Sequence, residues 1–299
     1  MARGRQLHES SYMASEPSGH DKWKTIAGIV AVATAVVALV QQCTKSTDAS
    51  SPSSKTPTSQ AVGQAPPTEA LAKRGDDYYS GSDDTPLNYV EALDWYRKAA
   101  AQGSSHAQDR IGEMYETGKG VPKNEQESVN WYSRAAKQGY PSAQGHLGAM
   151  YQFGRGGLRI DLDEAAKYYT RAAEAGWAPS QSDLGRFYEE GLGQLPQSET
   201  LAVKWYLKSA EQSNAFGQLN AGRMYQMGRG GLPNDPKEAS RWYQKATDQG
   251  NDHAQFLLGL LYLEGHGVSA SRDRAIELLK QAAAHGNSLA ANKLVELDK

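Results

Sequence analysis

A block of 36 or 37 residues recurs along most of this chain, and that period excludes most folds at once. "AQDRIGEMYETGKGV" (Ala107–Val121) aligns with "AQGHLGAMYQFGRGGL" (Ala143–Leu158) and "SQSDLGRFYEEGLGQL" (Ser180–Leu195). "GQLNAGRMYQMGRGGL" (Gly217–Leu232) and "AQFLLGLLYLEGHGV" (Ala254–Val268) continue the series. A second skeleton follows each of these: "SVNWYSRAAKQG", "AAKYYTRAAEAG", "AVKWYLKSAEQS", "EASRWYQKATDQG" and "AIELLKQAAAHG". The units are 104–139, 140–176, 177–213, 214–250 and 251–286. A worn unit, 67–103, precedes them, and a closing helix over 287–297 follows.

Each half-unit reads as a helix. Ala107, Ile111, Met114, Tyr115 and Gly118 fall on one face at helical spacing, as do Ser128, Trp131, Tyr132, Ala135 and Ala136. The small residues permit close approach of helices, and the Trp/Tyr pair fills the larger gap. One unit cannot bury its apolar stripe alone, so neighbours must stack into a solenoid. The predicted class is all-α, an α/α superhelix.

The glycine-rich stretches, such as "YQFGRGGLRI", superficially suggest a phosphate loop. They follow the C-terminal end of a helix, however, and carry no Lys-Ser/Thr pair. Gly118, Gly154, Gly191, Gly228 and Gly265 read instead as helix C-terminal punctuation. Asn124, Asp161 and Asp235 stand where the next helix needs a cap.

Small-Gln-x-x-apolar-Gly-x-x-Tyr-x-x-Gly-x-Gly, then Ala-x-x-Trp-Tyr-x-x-Ala-Ala-x-x-Gly, closely resembles the SEL-like repeat (Sel-one-like) family. That family is a tetratricopeptide-like one with a slightly longer unit. The resemblance covers about 67–299. It implies a right-handed superhelix that binds other proteins. Bacterial relatives include envelope adaptors, virulence factors and antidotes to secreted toxins; eukaryotic relatives serve endoplasmic-reticulum quality control. Some relatives carry a disulfide in each repeat, and this chain lacks those cysteines. Ser213 for the terminal Gly, Gly217 for Ala, and Leu278-Leu279 for Trp-Tyr depart from the pattern.

The N-terminal quarter differs. Residues 1–22 read as a disordered tail. "TIAGIVAVATAVVALV" (25–40) is uncharged, and Trp23 and flanking lysines extend it to a candidate transmembrane helix over 23–42. A cleaved signal peptide and a buried helix are the alternatives. More positive charge precedes this segment than follows it, which places the N-terminus in the cytoplasm and the repeats outside it, in the periplasm if the source is bacterial. Residues 43–66 are Ser/Thr/Pro-rich and read as a linker.

Nothing in the pattern points to chemistry. The net charge is −2, which gives no pull toward nucleic acid. The one cysteine, Cys43, precludes an intrachain disulfide. The seven histidines show no metal-ligand spacing, although His106 and His253 share a repeat position. The acidic pairs Asp76-Asp77 and Asp83-Asp84 lack calcium-loop spacing. Arg155 and Arg229, in equivalent loops, read as solvated charges. The expectation is therefore a scaffold with no catalytic, metal or cofactor residues. An immunity-type inhibitor of a secreted toxin, or an envelope hydrolase, is the alternative.

A partner would meet columns that vary between units. One reads Glu113, Ala149, Arg186, Arg223, Leu260; another Arg110, His146, Asp183, Asn220, Leu257. The candidate contact residues are Arg110, Glu113, His146, Arg186, Arg223, Phe256, Leu260 and Leu263. The last three form an apolar patch, which either docks a partner or lies under the closing helix. The constant column Gln108, Gln144, Gln181, Gln218, Gln255 reads as bonding between repeats.

Overall fold

In each unit a polar side chain opens the second helix and a glycine closes the first, so the chain turns back on itself at a fixed interval. The computed structural model describes residues 67–298 apart from Asp83. The tail, the candidate membrane segment 23–42 and the linker lie outside the described residues. No helix among the described residues is long and apolar enough to cross a membrane.

Among the described residues there are only helices and turns. Helix α1 (Thr68–Ser80) pairs with α2 (Tyr89–Ala101), α3 (Ser105–Thr117) with α4 (Glu125–Lys137), and α5 (Pro141–Phe153) with α6 (Leu162–Glu174). Then α7 (Ala178–Glu190) pairs with α8 (Glu199–Glu211), α9 (Ala215–Met227) with α10 (Pro236–Asp248), and α11 (Asp252–Glu264) with α12 (Arg272–Ala284). The closing helix is α13 (Ser288–Leu297). Each odd-numbered helix from α3 to α11 packs on its own partner and on the even-numbered helix before it, and α13 packs on α12, which makes a continuous solenoid.

Capping explains the register. Asn88, Asn124, Asp161, Ser198, Asp235 and Ser271 accept backbone N–H bonds at the start of the six even-numbered helices. Gly154 ends α5 at φ 63°, and its N–H reaches the Met150 carbonyl. The second glycine of the motif has another duty. A Cβ on Gly156 would sit 2.5 Å from the Glu125 carbonyl oxygen, so the loop is pressed onto the first turn of α4.

The core is a column of tyrosines. Tyr96, Tyr132, Tyr169, Tyr206 and Tyr243 are the largest fully or nearly fully buried side chains. Their hydroxyls stay paired, with Asp76, Glu116, Gln152, Glu189 and Gln226 accepting at 2.6–2.9 Å. The neighbouring Trp residues are only half-buried, a correction to their reading as gap-fillers equal to Tyr. Lys98, Arg134, Lys208 and Lys245 cover Trp95, Trp131, Trp205 and Trp242, with cation-to-centroid distances of 4.1, 4.4, 4.6 and 3.9 Å.

The glutamine column is internal, as its reading implied. Gln181 donates to the Ala173 carbonyl of the preceding unit at 3.1 Å and accepts from Gln212 of its own unit at 2.7 Å. Gln218 repeats the pattern with Ala210 and Gln249.

The departures are accommodated. Ser213 takes the left-handed conformation at φ 63°, where the other units use glycine. Gly217 lacks a Cβ that would lie 2.5 Å from Ser209 Oγ. The serine on α8 and the glycine on α9 are thus a matched pair. Ser209 Oγ in turn donates to the Ala178 carbonyl at 2.7 Å.

Candidate protein-binding groove

The odd-numbered helices present the varying columns on one face. At its N-terminal end that face is a polar network. Arg110 donates to Glu113 at 2.8 Å and lies 3.7 Å from Asp76. Tyr79 donates to the other Glu113 oxygen at 2.6 Å, and Lys119 donates to Tyr79 at 2.9 Å. His106 sits between Asp76, at 2.9 Å, and the Tyr140 hydroxyl, also at 2.9 Å. His146 faces Asp109 at 3.2 Å and packs on the Tyr132 ring. Burial alone would raise the Glu113 carboxyl; Tyr79 and Arg110 outweigh it and hold the group below its ordinary range.

The Asp76–His106–Tyr140 line looks like a relay, but its last member is a poor nucleophile. Burial pushes the Tyr140 phenol up, away from ionisation. Among the described residues no cluster of His, Cys, Asp and Glu is arranged to hold a metal ion.

The middle of the face is different. Helices α5, α7 and α9 surround a cavity of about 430 Å³. Ala149, Gln152 and Phe153 come from α5, Tyr169 from α6, Ser182, Asp183 and Arg186 from α7, and Phe216 and Asn220 from α9. Phe153 and Phe216 are each 61% exposed, and Met227, at the far end of α9, is 54% exposed. Burial pushes the Asp183 carboxyl up to about 6, against the pull of Arg186. Arg186 leans toward Glu190 at 3.7 Å. Arg223 is held by Asn220 at 2.7 Å and Glu189 at 3.1 Å.

At the C-terminal end, Phe256 and Leu263 are half-buried against Leu279, Ala282 and Ala290, with Leu294 and Leu297 from α13 on the same cluster. Leu260 is also half-buried. Seven of the eight sequence-derived residues therefore fall into three groups, a paired polar end, the central cavity wall at Arg186, and an apolar end partly packed under α13, while Arg223 is tied to Asn220 and Glu189 outside the cavity wall.

Phe216 was missed from sequence. Its column reads His106, Ser142, Pro179, Phe216, His253, so only the variation itself marked it. The loop arginines are a correction, since neither is free in solvent. Arg155 donates to Glu116 at 2.8 Å and Glu125 at 2.7 Å. Arg229 does the same with Glu189 at 3.0 Å and Glu199 at 2.6 Å. Each glutamate pair belongs to the preceding unit, so each arginine clamps two repeats together.

Six consecutive segments, 68–104, 105–140, 141–177, 178–214, 215–251 and 252–287, match the Sel1 repeat. The chain belongs to the Sel1 repeat family. A protective antigen present in uropathogenic Escherichia coli strains shares 36% identity with it over 76% of this chain, with a TM-score of 0.62. This chain spans only 48% of that protein's length. A Sel1 repeat protein from Oxalobacter formigenes is 31% identical, with a TM-score of 0.67, covering 77% of this chain and 88% of its own. An immunity protein from Pseudomonas aeruginosa is 19% identical over 74% of this chain and 82% of its own, at a TM-score of 0.49. No curated protein matches the sequence. Sel1 repeats form scaffolds suited to protein–protein interaction, which is the coarse role the family assigns to this solenoid.

Proposed function

We propose that this Sel1 solenoid is a non-catalytic scaffold that grips one protein partner along the face of its odd-numbered helices. The observation carrying this reading is the contrast along that face. Its N-terminal charges are already paired, whereas Phe153 and Phe216 stand more than half exposed around a cavity. Exposed aromatics beside a cavity are what a docking surface supplies. The proposal includes a membrane tether over 23–42, with the repeats held outside the cytoplasm on the 43–66 linker. Its support is the uncharged run 25–40, the anchoring Trp23 and the excess of Arg and Lys ahead of the segment.

Site-specific photocrosslinking in the source cell tests the scaffold. A crosslinker at Phe216 is expected to give a discrete protein adduct, and one at the exposed Lys204 on the opposite helix layer none. Equal labelling from both positions, or from neither, overturns the reading. Protease accessibility of the repeats in intact spheroplasts tests the orientation; full protection refutes it.

A further inference from the structure

The central cavity holds a carboxylate, Asp183, whose nearby counter-charge, Arg186, is shared with Glu190. Asp76, Asp109, Glu113, Glu116 and Glu189 on the same helix layer each have a hydrogen-bonded or ionic partner. Asp183 has no hydrogen bond or ion pair among the described residues, although it lies in the cavity wall. The groups facing it are Arg186 from its own helix and the Tyr169 phenol from α6, which already donates to Gln152 at 2.9 Å. From α5 and α9 the cavity receives only uncharged residues: Ala149, Gln152, Phe153, Phe216 and Asn220. With Glu190 beside Arg186, these three charged groups leave a balance of one negative charge.

We propose that this cavity receives one lysine or arginine side chain from a segment of the protein partner. The inference rests on the reading of this face as protein-binding. Phe153 and Phe216 supply apolar and π surface to the aliphatic stem and the cationic head. Asp183 supplies the opposite charge at the wall. A cation there removes the penalty of an ionised carboxylate in a shielded position, and that stabilisation requires a partner. The cavity's size, about 430 Å³, suits a side chain and its neighbours and not a folded domain. An acidic side chain would meet Asp183 as a like charge.

The test uses the full 299-residue chain in detergent and three fluorescent peptides. All carry the sequence acetyl-Gly-Ser-X-Leu-Ser-Gly-amide, with X as lysine, norleucine or glutamate. Fluorescence anisotropy is expected to show saturable lysine-peptide binding, about fivefold tighter than norleucine at pH 7.5, as one partly shielded charge pair provides. That preference shrinks at pH 5, where Asp183 is protonated. Asp183→Asn is expected to abolish the preference for lysine over norleucine. Phe153→Ala with Phe216→Ala is expected to weaken both peptides. Circular dichroism verifies that each variant folds. Equal affinity for lysine and norleucine, a preference that survives Asp183→Asn, or no saturable binding overturns the inference. If the Phe216 photocrosslink persists in any of those cases, the scaffold reading stands without it. Loss of both sinks the scaffold reading as well.

Discussion

Gly112 on α3 and Tyr132 on α4 occupy one space: a methyl group on Gly112 would lie 2.6 Å from Tyr132 Cδ1. The same lock recurs as Gly148 with Tyr169, Gly185 with Tyr206 and Gly222 with Tyr243. A buried ring and a missing side chain on the facing helix thus set how closely each pair packs.

Gly112→Ala tests the lock. Helix propensity favours alanine by about 1 kcal/mol, but overpacking a rigid ring costs about 1 to 3 kcal/mol. The second effect wins, so urea denaturation is expected to show destabilisation. In the last unit Leu279 replaces the ring, and the Gly259 methyl would meet it at 3.2 Å. Gly259→Ala is therefore expected to cost clearly less. Equal losses at the two sites contradict the account.

The Asp183 carboxyl titrates at about 6 in the fold, against an ordinary value of 3.8. The folded state then binds more protons than the unfolded state between those two values, so stability falls as pH rises through them. Above pH 6 the ionised group costs about 3 kcal/mol. Asp183→Asn is expected to raise the thermal midpoint at pH 7.5 and to leave it unchanged at pH 3.5. A variant that is less stable at pH 7.5 refutes this.

Arg155 clamps Glu116 and Glu125, and with Lys123 it holds the Glu125 carboxyl down to about 2. Arg155→Ala is expected to lose about 1 kcal/mol at low salt, and less near 1 M salt, because the pair is partly exposed. A double-mutant cycle with Glu116→Ala measures the coupling. The sign for Glu125 is opposite to that of Asp183. Its contribution is complete above pH 4.5 and is lost as pH falls through 2.

Ser213 holds a left-handed backbone at φ 63°, where Gly176 and Gly250 stand in neighbouring units. Ser213→Gly is expected to stabilise the chain by about 0.5 to 1 kcal/mol. A loss of stability in chemical denaturation would show that the serine side chain supports the turn.

The architecture was open to reading because it is written locally. Gly154 after α5 and Asp161 before α6 announce a turn within eight residues, and the Trp-Tyr and Ala-Ala spacings announce a helix face. The groove was less accessible. Arg155 meets Glu116 across 39 residues, and Tyr79 meets Glu113 across 34. Those separations come from the stacking of one unit on the next, which periodicity alone does not resolve. Phe216 was hidden for another reason: its exposure follows from its position at the first turn of α9, whereas its chemistry suggests a core residue. The half-burial of Trp131 was likewise not foreseen, because the covering Arg134 looks like any surface cation.

The fit between Ser209 and Gly217 restricts how this gene can recombine. Excision of one unit would join strangers at that seam. Removing 214–250 would set the Ala254 methyl against the serine hydroxyl, and removing 177–213 would leave Gly217 beside Ala172 with an empty space between them. Repeats that look interchangeable on paper are matched at this seam, and any excision that parts Ser209 from Gly217 breaks the match.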